Sequence, residues 1–201
     1  MKFEKLGYLL MAVLFAAILT FSCASSGGSE GPVNEGYRWS FADPEAGVGN
    51  WDLATEDFWD FKGTIDLSRD DATLGKPMLR VDVDFSKDVG SWWSEPKLLY
   101  KFDEPLELRG LNRFSFDLYY NPQYQTRGSF KGKVVGLSGK NIAVEAELES
   151  FGIAEPVGDY LKATVNFRLR SSRSIDSLHL GIVGAVTDYN GPLFMDNIRW
   201  E

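Results

Sequence analysis

The clearest signal along the chain is alternation of apolar and polar positions. Leu79, Val81, Val83 and Phe85 alternate with Arg80, Asp82 and Asp84. Phe114, Phe116, Leu118 and Tyr120 alternate with Ser115, Asp117 and Tyr119, and Leu161, Ala163, Val165, Phe167 and Leu169 with Lys162, Thr164, Asn166 and Arg168. Successive strand side chains point to opposite faces. A period of two with one apolar side therefore marks antiparallel strands that cover a core on one face. Weaker strand patterns run over 37–41, 63–67, 97–102, 131–137 and 141–149. Turn residues divide them: Gly75-Lys76-Pro77, Arg109-Gly110, Asn121-Pro122, Ser138-Gly139 and Glu155-Pro156. About ten short strands without a convincing helical stretch predict an all-β fold, an antiparallel two-sheet β-sandwich of jelly-roll type. At the end of the chain, the apolar run 178–184 and the strand after Asn190-Gly191-Pro192 read as a C-terminal hairpin. Its last strand is expected to pair back near the start of the domain.

The first 36 residues break this pattern. Lys2 and Lys5 precede a short apolar run from Leu9 to Phe21, and Cys23, the one cysteine of the chain, follows Ser22. The run is too short for a comfortable membrane span of about 20 residues and has the form of a signal peptide. A sole cysteine just after a small residue resembles a bacterial lipoprotein processing site, although Phe21 is bulky for one; the alternative is an ordinary secretory signal with an incidental cysteine. The lipoprotein reading divides the chain into a signal peptide (1–22), a Ser/Gly-rich tether (23–36) and a folded domain (37–201). Cys23 would carry the lipid, anchoring the protein in a cell envelope. Ala24 rather than Asp after Cys23 favours the outer membrane.

Charge and residue chemistry narrow the function. The 201 residues carry a formal net charge of −8, which argues against nucleic acid or anionic lipid as partners. One cysteine rules out a disulfide framework within the chain. The single histidine, His179, sits in an apolar run, and no Ser/His/Asp set or His/Cys cluster can be assembled around it. The 29 acidic residues single out no catalytic carboxylate pair. The chain reads as a binding protein rather than an enzyme. The alternatives are a non-binding structural sandwich and, less well supported, a small glycan-processing enzyme.

The six tryptophans point to the ligand. Trp51, Trp59 and the Trp92-Trp93 pair stand in turn-rich polar settings outside the alternating strands. An indole face suits the apolar C–H face of a pyranose, and Asp57, Asp60, Glu95 and Lys97 lie near enough in sequence to address its hydroxyls. Any one of these rings, taken alone, suits a sandwich core equally well. Trp39 and Trp200 fall within the first and last strands and read as structural. Asp196, on the last strand, and Asp43, just after the first, are candidates to share a structural calcium ion with backbone carbonyls.

Four segments together resemble carbohydrate-binding module family 27: residues 93–102, 116–122, 178–184 and 189–199. That resemblance implies a β-jelly roll that binds β-1,4-mannan and galactomannan without cleaving them. It matches Trp51 and Trp93 to stacking positions, places Trp59 beside the first of these, and makes Glu95 and Lys97 the polar contacts. Those modules are attached to mannanases, which brings glycoside hydrolases in as partners. The loop Gly136–Asn141 has no aromatic where the family has a further tryptophan.

Overall fold

The computed structural model describes residues 36–41, 45, 47–53, 63–88, 94–146 and 148–201. Their strands are β1 (Tyr37–Arg38), β2 (Trp51–Leu53), β3 (Ile65–Asp70), β4 (Met78–Asp84), β5 (Lys97–Glu107), β6 (Arg113–Tyr120), β7 (Ser129–Ser138), β8 (Asn141–Glu145), β9 (Glu149–Ser150), β10 (Glu155–Val157), β11 (Tyr160–Arg168), β12 (Ser174–Ala185) and β13 (Asn190–Trp200). Among the described residues the helical pieces are short 3-10 turns at Ser86–Asp88 and Pro122–Tyr124. None is long and apolar enough to cross a membrane.

The strands form two antiparallel sheets. One has the order β10-β11-β6-β13-β4-β3, with β1 beside β13; the other has the order β2-β5-β12-β7-β8, with β9 beside β7. The alternating positions of β4, β6 and β11 meet those of β5, β7 and β12 in one core, which includes Phe114, Phe116, Phe167, Leu98, Val134, Leu178 and Leu180. Each such side chain stabilises the fold by about 1.5–3 kcal/mol on burial. Trp39 and Trp200 belong to this core at 6% and 1% exposed. The closing strand pairs with the opening one, Tyr37 opposite Trp200.

The expected C-terminal hairpin is corrected. β12 and β13 are consecutive but lie in different sheets, because both edges of each strand are occupied: β12 pairs with β5 and β7, β13 with β6 and β4. The chain crosses between the sheets at residues 186–189, where Val186 takes a φ of 54°, rare for a β-branched residue. Asp188 caps this crossing by accepting from the backbone amides of Thr126 and Arg127 at 2.9 and 3.2 Å. The fully buried Tyr189 closes the end of the core, its hydroxyl donating to the Pro192 carbonyl at 2.6 Å. Asn190-Gly191-Pro192 is therefore the start of β13 rather than a turn, paired with Asp84, Val83 and Asp82. Glu155-Pro156, another expected turn, is the edge strand β10, a place where a proline is tolerated.

β13 carries a bulge between Asp196 and Arg199, with Asn197 in the left-handed region at φ 49°. Asp117 on β6 locks it. Its carboxylate accepts from Asn197 Nδ2 at 2.7 Å and Thr164 Oγ1 at 2.6 Å, and Lys162 Nζ stands 3.1 Å away. Burial pushes the Asp117 pKa up, but the bonds from Thr164, Asn197 and Lys162 outweigh it and hold the group below the usual carboxylate value. A depressed folded pKa adds stability that is present above the unfolded value and lost as pH falls through the folded one. Thermal midpoints measured below about pH 4 should therefore fall more steeply in the parent than in Asp117→Asn. Parallel curves would show that Asp117 contributes no acid sensitivity.

Candidate functional site

The two outer faces of the sandwich differ. On the seven-stranded sheet, Met78, Tyr119 and Phe194 form a second apolar cluster, each 4% exposed or less, with Leu74, Val157 and Tyr160 packed on it. Arg80 lies 6.0 Å from the Phe194 ring and donates to Asp82 at 2.7 and 2.8 Å. Lys76 stands 5.4 Å from the Tyr119 ring and bonds Asp196. The loop at 71–77 and the β10–β11 hairpin thus fill this face with the chain's own side chains.

The six-stranded sheet presents polar groups instead. Leu98, Val134, Val144, Leu178, Leu180 and Ile182 point into the core, so the alternate positions of the same strands lie on the outer face. The register aligns Lys97 of β5 and Lys133 of β7 on either side of Gly181 of β12. The next row brings Leu99, His179, Val135 and Glu145 together. Lys133 Nζ lies 3.4 Å from Glu145 Oε1, and Lys97 Nζ lies 4.0 Å from Glu95 Oε1. The Glu95 side chain is 1% exposed and the Lys97 side chain 13%. Burial pushes the Lys97 pKa down; Glu95 raises it, Lys133 lowers it further, and the balance is a lowered value. The outer side of this sheet therefore carries the ammonium groups of Lys97 and Lys133 beside the partly exposed carboxylate of Glu145 and the buried carboxylate of Glu95, groups of the kind that bond hydroxyls.

The structure brings together two of the residues singled out from sequence, Glu95 and Lys97. It adds Lys133, Glu145 and Gly181, which sequence reading missed. Trp51 is corrected. It was expected as an exposed stacking platform, but it is 4% exposed on edge strand β2 with its ring turned inward. Its ring centroid lies 5.1 Å from Tyr100 and 5.9 Å from Trp39, and a cavity of about 190 Å³ lies beside these rings. β2 pairs with β5, Trp51 opposite Tyr100, and that register turns Trp51 to the core side with Tyr100 and sets Asp52 on the outer side.

Trp59, Trp93, Asp43 and Cys23 lie outside the described residues. The carboxylate of Asp196 is engaged by the Lys76 ammonium, which sets a cation of the chain itself where a calcium ligand was expected. Among the described residues no group of three or more His, Cys, Asp or Glu side chains is placed to hold a metal ion.

A sequence profile described as carbohydrate binding module 27 matches residues 41–200. The chain belongs to that family. Family 27 consists of non-catalytic modules, and residues 41–200 form a carbohydrate-binding domain of that family. Solved structures share the jelly-roll sandwich. The module TmCBM27, described for specific mannan recognition, is 21% identical with a TM-score of 0.61; the match covers 82% of this chain and 94% of that one. The Caldicellulosiruptor saccharolyticus module CBM27-1, solved with mannohexaose, is 18% identical with a TM-score of 0.58, over 81% and 96%. A family 28 module specific for non-crystalline cellulose is 19% identical with a TM-score of 0.59, over 76% and 88%. No curated protein sequence matches the chain.

Proposed function

We propose that this family 27 domain binds a β-1,4-mannan or galactomannan-type polysaccharide on the outer face of its six-stranded sheet. The observation that carries the reading is the Glu95–Lys97 pair, 4.0 Å apart on the outer side of that sheet and directly after the segment that holds Trp93. The sugar stacks on Trp93, with Trp59 a second platform, while Glu95 and Lys97 address its hydroxyls. The described mannan recognition of TmCBM27 and the mannohexaose bound by CBM27-1 support this choice of glycan. Retardation of the protein in galactomannan gels tests it. Migration unchanged by galactomannan would count against the reading.

The protein's role, in the same proposal, is to hold polysaccharide at the cell envelope for partner glycoside hydrolases. Cys23 supplies the lipid anchor, in the outer membrane. Support for the anchor comes from the apolar run ending at Phe21 and from Cys23 being the one cysteine. Cys23→Ser should move the protein from the detergent phase to the aqueous phase on Triton X-114 partitioning. Unchanged partitioning would remove the anchor from the account.

A further inference from the structure

We propose that Gly181 is the positioning residue of this binding face: its missing side chain makes the seat that holds the Glu95 carboxylate over β12, between Lys97 and Lys133. This builds on the reading of the face as the glycan-binding one. Glycine in a strand interior weakens it, and its presence there often marks a close approach by another group. Gly181 lies mid-strand in β12, flanked by the buried Leu180 and Ile182. The approaching group is Glu95. A Cβ built on Gly181 would meet Glu95 Oε1 at 2.9 Å, Cγ at 3.3 Å and Cδ at 3.4 Å. Gly132 and Gly136 differ, because a Cβ there would meet Phe167 and Val165, or Val144 and Ile175, in the core. Those glycines make room for apolar packing, whereas Gly181 makes room for a carboxylate on the ligand side.

The backbone leaves Glu95 little choice of place. Ser94 and Gly184 exchange backbone hydrogen bonds at 3.1 and 2.8 Å, and the Ile182 amide donates to the Pro96 carbonyl at 3.2 Å. Residues 94–96 are thus laced to β12 on both sides of Glu95, and its side chain runs along the strand to Gly181. Lys97 and Lys133 stand opposite that same glycine from β5 and β7. The Glu95 carboxylate thereby lies 4.0 Å from the Lys97 ammonium, in the row that Lys133 shares across Gly181. Gly181 does not have the positive φ that would demand glycine, so alanine there tests space alone.

The test uses the full-length protein carrying Gly181→Ala, Glu95→Ala or both, in galactomannan affinity gels alongside thermal melts. Gly181→Ala should keep the fold, because the three nearest atoms all belong to the flexible Glu95 side chain. It should weaken binding about tenfold or more, a loss of about 1.4 kcal/mol or more. Added to Glu95→Ala it should cost nothing further, because it acts through that carboxylate. NMR titration of the Lys97 ammonium gives a readout that a purely structural role would not move. Glu95 raises the Lys97 pKa, while burial and Lys133 lower it, so moving the carboxylate away should shift the Lys97 midpoint down.

Parent-like binding by Gly181→Ala, a full additional loss in the double variant, or an unfolded Gly181→Ala protein would each overturn the proposal. If the parent itself ignores galactomannan, the mannan reading fails. The seat then stands or falls on the Lys97 midpoint, and an unchanged midpoint refutes it.

Discussion

Replacing Trp51 with alanine is expected to destabilise the domain by about 3–5 kcal/mol, with or without polysaccharide present. The ring is 4% exposed. It packs at centroid distances of 5.1 Å from Tyr100 and 5.9 Å from Trp39, and Trp39 in turn touches Tyr37, Phe102 and Phe114. Truncation removes the burial of a large aromatic and also the edge and tilted contacts that such rings make. Domains of this size have about 5–15 kcal/mol of total stability, so the loss is a large share of the whole. Urea denaturation followed by far-UV circular dichroism measures it. A Trp51→Ala protein with an unchanged urea midpoint and weakened mannan binding would return this ring to the ligand.

Trp93→Ala should have the opposite signature. Removing an aromatic anchor at the centre of a binding site costs about 2 kcal/mol or more, roughly a thirtyfold loss of affinity. The proposed stacking role predicts a thermal midpoint near that of the parent, since a ring with that role contributes little to a core. The chain on its C-terminal side is fixed by the Ser94–Gly184 bridge and by Glu95 lying over Gly181, so truncation at 93 leaves both in place. Loss of the fold, or parent-like retardation in galactomannan, would displace Trp93 from the site.

Trp51 and the strands around it show where sequence reading carries and where it stops. Strands such as β4, β6 and β11 were legible because one face is buried and the other is not; Leu79, Val81 and Val83 are 0–3% exposed while the residues between them are partly open. Trp51 was not legible in this way. It follows a Gly-Asn turn on a strand of three residues, too short to show a period, and only its pairing with Tyr100 fixes which way it faces. The placement of β12 and β13 in different sheets was hidden for a related reason. Both strands are apolar, and their partners are far away in sequence. In the candidate site, Glu95 and Lys97 stand two residues apart in sequence, and the structure sets their charged groups 4.0 Å apart. Lys133, Glu145 and Gly181 come from three other strands and meet only through register. The one local signal for Gly181 was a glycine inside an otherwise apolar run.

The central claim is that the outer face of the six-stranded sheet binds mannan, and calorimetric titration of the compact unit Asn34–Glu201 with mannohexaose and with cellohexaose tests it most directly. The account predicts saturable binding of mannohexaose, and cellohexaose binding weaker by about tenfold or more. Absence of mannohexaose binding, or equal affinity for the two oligosaccharides, would contradict it.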